Sequence, residues 1–254
     1  MNKVYLGSIA LEKNRWAPGR IPTYNVSDFA GEVEKDGFAG IELWEYHYTH
    51  TDDAERERLA ASGTEFIFNT YFNLADGITD EIKNIADAVN KLGAVAMKYN
   101  FPHIDYGVDI ETMMKHRDTL LKFAELLKGD VKLLCECHGW TSMEVPERAA
   151  EIFRTLDERF GAIIHLGTEP ELARKCFECY GDRICHIHTA STIDKNFALL
   201  SENDELMRGN LEHFISKGFN GTFTLEFVKE EDTMEAHYAN TIKDFDYIKS
   251  ILAK

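Results

Sequence analysis

One repeating pattern constrains this chain more than any other feature. A short apolar run, a turn and then about ten to twenty residues with apolar side chains at helical spacing recur along its whole length. The apolar runs are Val4–Ser8, Gly40–Trp44, Glu65–Thr70, Ala94–Asn100, Val131–His138, Ala162–Leu166, Ile184–His188 and Thr222–Phe227. Strands that alternate with helices predict a parallel sheet, because parallel neighbours need a crossover long enough to hold a helix. Spread over eight units, 254 residues give about 32 residues each, which suits an α/β fold of one single (β/α)8 TIM barrel over residues 1–254. A doubly wound open sheet is the competitor. It would carry a Gly-rich phosphate turn after its first strand, and no G-x-G-x-x-G follows Leu6-Gly7-Ser8.

Helix starts are marked by Ser27-Asp28 before Phe29, by Thr79-Asp80-Glu81 before Ile82, and by Pro146 ahead of Ala149, Ile152, Phe153 and Leu156. The spacing predicts the longest helix over Asp109–Lys128. Only five prolines occur and the glycines are scattered, so no stretch reads as an interdomain linker. The formal charge of −16 opposes a phosphate backbone, which argues against a nucleic-acid partner. Met1–Ala10 fits neither a signal peptide nor a membrane span, so the expectation is a cytoplasmic protein with no membrane partner. Five cysteines, an odd number, read as reduced thiols. Cys176 and Cys179 have redox-pair spacing but fall on a helix without a second pair, and read as small buried apolar residues.

Parity along the strands decides which side chains can meet. In the last strand Phe223, Leu225 and Phe227 form an apolar helix-facing set, which turns Thr222, Thr224 and Glu226 inward. In the fifth, burying Glu136 and His138 against helices would strand a charge, so both point inward and Cys135 and Cys137 outward. The sixth strand ends in His165, and the seventh places His186 and His188 on one face. Four consecutive strands thus end in Glu136, His165, His188 and Glu226. Strands lie about 4.8 Å apart, so these four can converge at the barrel mouth as a metal site. Two imidazoles and two carboxylates suit Mn first, with Fe, Co, Zn or Mg as alternatives.

Other polar and aromatic residues cluster near the same strand ends. Lys98 and Asn100 end the fourth strand and are candidates for binding substrate or neutralising Glu136. His138 is a candidate proton donor. His186, one layer deeper, reads as a buried polar partner and stays among the substrate-binding candidates. Trp16, Trp44, Tyr71, Phe72, Phe101 and Trp140 could stack on the face of a ligand and exclude water, and Arg20 could close over an anionic one. Glu42 reads as an inward structural carboxylate, and His47 and His50 as loop residues.

At these residues the chain resembles the xylose isomerase-like barrel superfamily of sugar isomerases and epimerases, which also includes endonuclease IV-type enzymes. The matching segments are Gly37-Phe38-Ala39-Gly40-Ile41-Glu42, Glu136-Cys137-His138, His186-Ile187-His188 and Leu225-Glu226, and the likeness in element order covers nearly the whole chain. In ketose 3-epimerases of this superfamily a Glu, an Asp, a His and a second Glu hold the metal, and the two Glu shuttle protons. The resemblance therefore assigns Glu136, His188 and Glu226 to three of these places, with Glu136 and Glu226 as acid/base residues. The Asp place falls on His165, a departure that leaves the metal a stronger Lewis acid. The superfamily's substrate-binding Arg has no match here; Lys195 lies nearby in sequence.

The reaction implied is a divalent-metal-dependent isomerisation or epimerisation of a small sugar or keto-sugar derivative through an enediolate. The alternative is a lyase or dehydratase acting on an inosose-like keto-polyol or a keto-glycoside, in which the same intermediate expels a group. A nuclease of the endonuclease IV type would need a cationic DNA-facing surface, which the charge opposes. The expected partner is a small carbohydrate, and the chain suits either a homo-oligomer or a subunit of a larger enzyme.

Overall fold

In a computed structural model, which describes residues 2–103, 109–137 and 139–253, the chain closes into a parallel barrel of eight strands. The barrel strands are β1 (Val4–Gly7), β2 (Gly40–Trp44), β3 (Phe66–Asn69), β4 (Ala96–Tyr99), β5 (Lys132–Glu136), β6 (Phe160–His165), β7 (Ile184–Thr189) and β10 (Thr222–Leu225). Their order around the barrel is β1-β10-β7-β6-β5-β4-β3-β2. Two further short strands, β8 (Ser191–Ile193) and β9 (Asn196–Ala198), form an antiparallel hairpin directly after β7.

The helices are α1 (Ser27–Lys35), α2 (Tyr46–Thr49), α3 (Asp53–Ala61), α4 (Asp80–Leu92), α5 (Ile110–Ala124), α6 (Pro146–Phe153), α7 (Pro170–Tyr180), α8 (Asp204–Ser216) and α9 (Met234–Leu252). Local chemistry sets where they begin. The Thr79 side chain accepts from the Ile82 N–H at the start of α4, Asp109 does the same for Thr112 in α5, and α6 opens on Pro146. Ser27 is not a cap: α1 starts at this residue, and its hydroxyl and N–H both donate to Glu55. Among the described residues the longest helix is α9 and not the predicted Asp109–Lys128 segment, of which α5 keeps Ile110–Ala124.

The core has two parts. Outside the barrel, the alternate strand residues Met97, Leu133, Cys135, Ile164, Ile187, Phe223 and Leu225 pack against the helices. Inside, a smaller apolar cluster of Tyr5, Ile67, Ala96, Leu134 and Ile163 fills the base of the lumen. The inward residues above it are polar. Gly7 lets β1 approach the end of β10 closely, since a Cβ there would lie 2.7 Å from the Leu225 carbonyl oxygen. All five cysteines are free, and burial pushes the Cys176 thiol up to about 11. Among the described residues no helix is long and apolar enough to cross a membrane.

Candidate metal centre

Strand register brings the four candidate ligands to one level. Glu136 ends β5, His165 ends β6 opposite His188 of β7, and His188 lies opposite Thr224 of β10, two residues before Glu226. The Glu226 N–H donates to the Thr189 carbonyl (3.1 Å), which carries the register one step past the end of β10. One donor atom from each of Glu136, His165, His188 and Glu226 lies within 4.8 Å of every other. His165 Nε2 is 2.9 Å from Glu136 Oε1, and His188 Nδ1 is 3.3 Å from both Glu136 Oε1 and Glu226 Oε2. His165 Nδ1 is 3.9 Å from Glu226 Oε2.

These spacings fit a cation. Ligands held about 2.0–2.2 Å from a divalent metal are about 3 to 3.5 Å from one another. Although Glu226 Oε2 lies near His188 Nδ1, among the described residues it has no hydrogen-bond partner of good geometry, and it is buried. A buried carboxylate oxygen without a donor is costly unless a cation or proton serves it. His188 shows the same demand. Burial opposes its charge, but Glu42, Glu226 and Glu136 push its pKa well above the ordinary histidine value. The bound proton then stands in for the cation that a divalent metal would supply.

Glu136 is held from below. Its Oε2 accepts from Lys98 Nζ (2.7 Å) and Asn100 Nδ2 (2.9 Å), while Lys98 also donates to Asn100 Oδ1 (2.8 Å). The Tyr71 ring covers the Lys98 ammonium at 3.9 Å. Burial disfavours charge on both partners, yet the Lys98 ammonium and the two imidazoles keep the Glu136 carboxyl well below the usual range. Glu136, Tyr71 and Glu226 in turn keep Lys98 charged against its burial.

A deeper polar layer supports this one. Glu42 accepts from Asn69 Nδ2 (2.6 Å) and lies 3.1 Å from His188 Nε2 and 3.4 Å from His186 Nε2. His186 Nδ1 and Nε2 are hydrogen-bonded to Thr222 Oγ1 (2.6 Å) and Thr224 Oγ1 (3.0 Å).

Above the cluster opens a cavity of about 800 Å³ lined by Glu136, His165 and Glu226 at its floor and by Trp16, Asn100, Trp140 and Arg20 higher up. Trp16 and Trp140 are 66% and 73% exposed, and Trp16 also packs at a tilt on Phe227, with ring centroids 5.8 Å apart. Trp140 and Arg20 both hold φ values in the left-handed region, 70° and 47°. Such strain in non-glycine residues gathers at functional sites. The Arg20 guanidinium lies over the rings of Tyr46 and Tyr71.

Of the residues expected near substrate, Lys98 and His186 are both fully buried and neither lines the cavity. Tyr71 roofs Lys98, and the Thr222 and Thr224 hydroxyls occupy His186. Phe227 does not continue the helix-facing set, because β10 ends at Leu225. It turns into the cavity wall instead and stacks on Phe197 of the hairpin, with ring centroids 4.8 Å apart. Lys195, on the hairpin turn, does not line the cavity. His138 lies outside the described residues. Strand parity placed Glu42 inside but gave no sign of its link to His188, which spans the lumen. The inward Glu of the Gly40-Ile41-Glu42 run was the available signal.

The fold and rim define a class: a closed parallel (β/α)8 barrel carrying a mixed imidazole–carboxylate cluster at the C-terminal ends of its strands. Neither a family model nor a curated protein matches the sequence. Solved structures do match in shape. Escherichia coli 3-keto-D-glucoside 4-epimerase YcjR is 11% identical, with a TM-score of 0.66 over 98% of this chain and 100% of that one. An IolI protein with a bound zinc atom is 16% identical, with a TM-score of 0.66 over 97% of each chain. A xylose isomerase domain-containing protein from Salmonella typhimurium LT2 is 16% identical, with a TM-score of 0.67 over 100% of this chain and 98% of that one. The particular fold is therefore that of the xylose isomerase-like TIM barrels.

Proposed function

We propose that the chain is a divalent-metal-dependent isomerase or epimerase acting on a small sugar or keto-sugar derivative. The observation that carries this reading is the convergence of Glu136, His165, His188 and Glu226 on one point at the cavity floor. The neighbours named as a 3-keto-glucoside epimerase and a zinc-bound protein agree with it. Those four residues would hold the metal, which when bound polarises a substrate carbonyl and eases loss of a proton from the adjacent carbon.

The two carboxylates have different environments and hence different roles. Glu136 is fixed as an anion by Lys98 and Asn100, which suits a ligand that stays charged. Glu226 Oε2 lacks a hydrogen bond, is buried at the cavity floor, and is the group that takes the substrate proton. Once it carries that proton, Glu226 can return it to the neighbouring carbon for isomerisation, and His165, which lines the same cavity, is the group that would give a proton from a second position for epimerisation. Trp16 and Trp140 offer aromatic faces to the sugar and shield the floor from water. Arg20, poised over Tyr46 and Tyr71, meets an anionic or hydroxyl-rich end of the substrate at the mouth.

One observation favours a lyase as the second reading. His165, at the place of the superfamily's Asp, lines the cavity and can give a proton to a departing group, as a carboxylate held anionic cannot. Proton NMR in D₂O with Mn- or Zn-loaded protein and a panel of keto-sugars and keto-glycosides separates the two. Deuterium entering a retained carbon without loss of water or a leaving group supports the isomerase, whereas enone formation supports the lyase. Less than about 0.1 metal per chain after reconstitution would remove the shared basis of both readings.

A further inference from the structure

We infer that Glu42 is a positioning residue for the metal centre: from across the lumen it fixes the tautomer and rotation of His188, so that Nδ1 and not Nε2 meets the metal. The inference rests on the metal-dependent reading and adds to it a residue outside the ligand set. Glu42 is 1% exposed, in the middle of β2, and its Oε2 lies 3.1 Å from His188 Nε2. An ionised carboxylate accepts hydrogen bonds and cannot donate, so the nitrogen facing it carries the hydrogen. A neutral imidazole with hydrogen on Nε2 has its lone pair on Nδ1.

That lone pair points at Glu136 Oε1 and Glu226 Oε2, each 3.3 Å away. Without a metal, a hydrogen on Nδ1 fills this position and donates to Glu136 Oε1; a divalent cation would displace that proton and take the lone pair together with the two carboxylates, while Glu42 keeps hold of the hydrogen on Nε2. Asn69 fixes the other end of the device by donating to Glu42 Oε1 at 2.6 Å, which keeps Oε2 aimed at the imidazole. Metal-bound histidines commonly have a carboxylate behind the remote nitrogen, where it sets orientation and raises ligand basicity.

Glu42, His186 and His188 also form a compact group of potential donors, but a second metal does not suit it. Both nitrogens of His186 are engaged by Thr222 and Thr224, Asn69 occupies one Glu42 oxygen, and none of the three residues lines the cavity. Hydrogen bonds already use these donors. Glu42 therefore serves the upper site through His188.

The test uses the full-length protein labelled with ¹⁵N-histidine and titrated with zinc. Long-range ¹H–¹⁵N spectra, with His188 assigned by comparison with His188→Gln, should show the zinc-loaded wild type protonated at Nε2 and zinc-bound at Nδ1. Zinc bound through Nε2 would overturn the inference without any Glu42 variant. In Glu42→Gln, Asn69 and His188 compete for the one remaining acceptor, so the zinc Kd should rise about 10- to 100-fold with unchanged far-ultraviolet circular dichroism. A Kd within about twofold of wild type would also overturn it. Failure of the wild type to bind zinc at all would instead sink the metal-centre reading, so the two failures are distinguishable.

Discussion

Two layers of the same barrel lumen, only two residues apart along each strand, have opposite chemistry. At the base lie Tyr5, Ile67, Ala96, Leu134 and Ile163; two residues further on, the same strands present Gly7, Asn69, Lys98, Glu136 and His165. A rise of about 6.6 Å thus takes the lumen from dry packing to a lattice of charges. The base contributes stability through burial and dispersion, which tolerate any side chains of matching volume. Among the described residues the upper layer contains three carboxylates, Glu42, Glu136 and Glu226, opposed by the Lys98 ammonium and the charged His188 imidazole, and a divalent cation in place of the His188 proton would complete the balance. The lower layer holds the barrel together, and the upper one carries the candidate metal ligands.

The largest effect that would break this division is on catalysis. Glu226→Gln keeps the shape and a ligand oxygen but removes the proton acceptor, so turnover should fall on the order of 10³-fold with little change in thermal midpoint. Near-wild-type rates in a steady-state assay would take Glu226 out of that role. Next in size is Lys98→Met, which leaves Glu136 buried without its ammonium. Chemical denaturation of the metal-free variant should show a loss of about 3–4 kcal/mol, the scale for removing one member of a buried pair. Saturating metal should restore part of that loss, because the cation then serves Glu136. An equal loss with and without metal would mean that Lys98 does not share Glu136 with the site.

Strand parity made much of this legible. The alternation in Val131–His138 and Ile184–His188 and the register of eight strands turn Glu136, His165 and His188 inward at one level, as the sequence alone predicts. Parity gives the face of a strand, however, and not the depth of a side chain or what covers it. For Lys98 the sequence left substrate binding and neutralisation of Glu136 both open, because nothing in Ala94–Asn100 shows that Tyr71, from the loop after β3, lies over it. Glu42 and His188 sit on β2 and β7, which are not neighbours around the barrel, and they meet only because the sheet closes on itself. Phe227 escaped the alternation because the strand stops two residues earlier. What was missed depends on closure and strand ends, which no local pattern encodes.

The base layer should respond in the opposite sense. Ile163 is completely buried, and Ile163→Ala should cost about 2–3 kcal/mol in denaturant unfolding through lost transfer energy and the cavity left behind. Its metal affinity, read by titration calorimetry, should stay within about twofold of wild type. A large loss of affinity would show that packing at the base sets the geometry of the mouth, and the two layers could no longer be treated as separate.

A third region sharpens the comparison by showing a buried acid with no cation near enough to hold it charged. Asp244 on α9 is 1% exposed; its Oδ1 accepts from the Leu200 N–H at 2.9 Å, and its Oδ2 has no partner among the described residues. Burial pushes its carboxyl up to about 7, with Glu202 adding to the shift and the Leu200 N–H opposing it. Glu136, equally buried, goes the other way because Lys98 is 2.7 Å off. Below about pH 4 Asp244 is protonated in both folded and unfolded chains and contributes no pH dependence. Between about pH 4 and about 7 the unfolded chain releases this proton while the folded one retains it, so its contribution to stability falls as pH rises, then levels off. Asp244→Asn keeps the acceptor for Leu200 and removes the ionisation. The variant and wild type should be equally stable near pH 4, and the variant should be ahead by about 4 kcal/mol at pH 8, the full linkage for a carboxyl at about 7 in the folded chain and about 4 in the unfolded one. Urea unfolding at the two pH values checks this. A constant difference between the two proteins would mean that Asp244 is not titrating in the fold, and that burial alone does not separate it from Glu136.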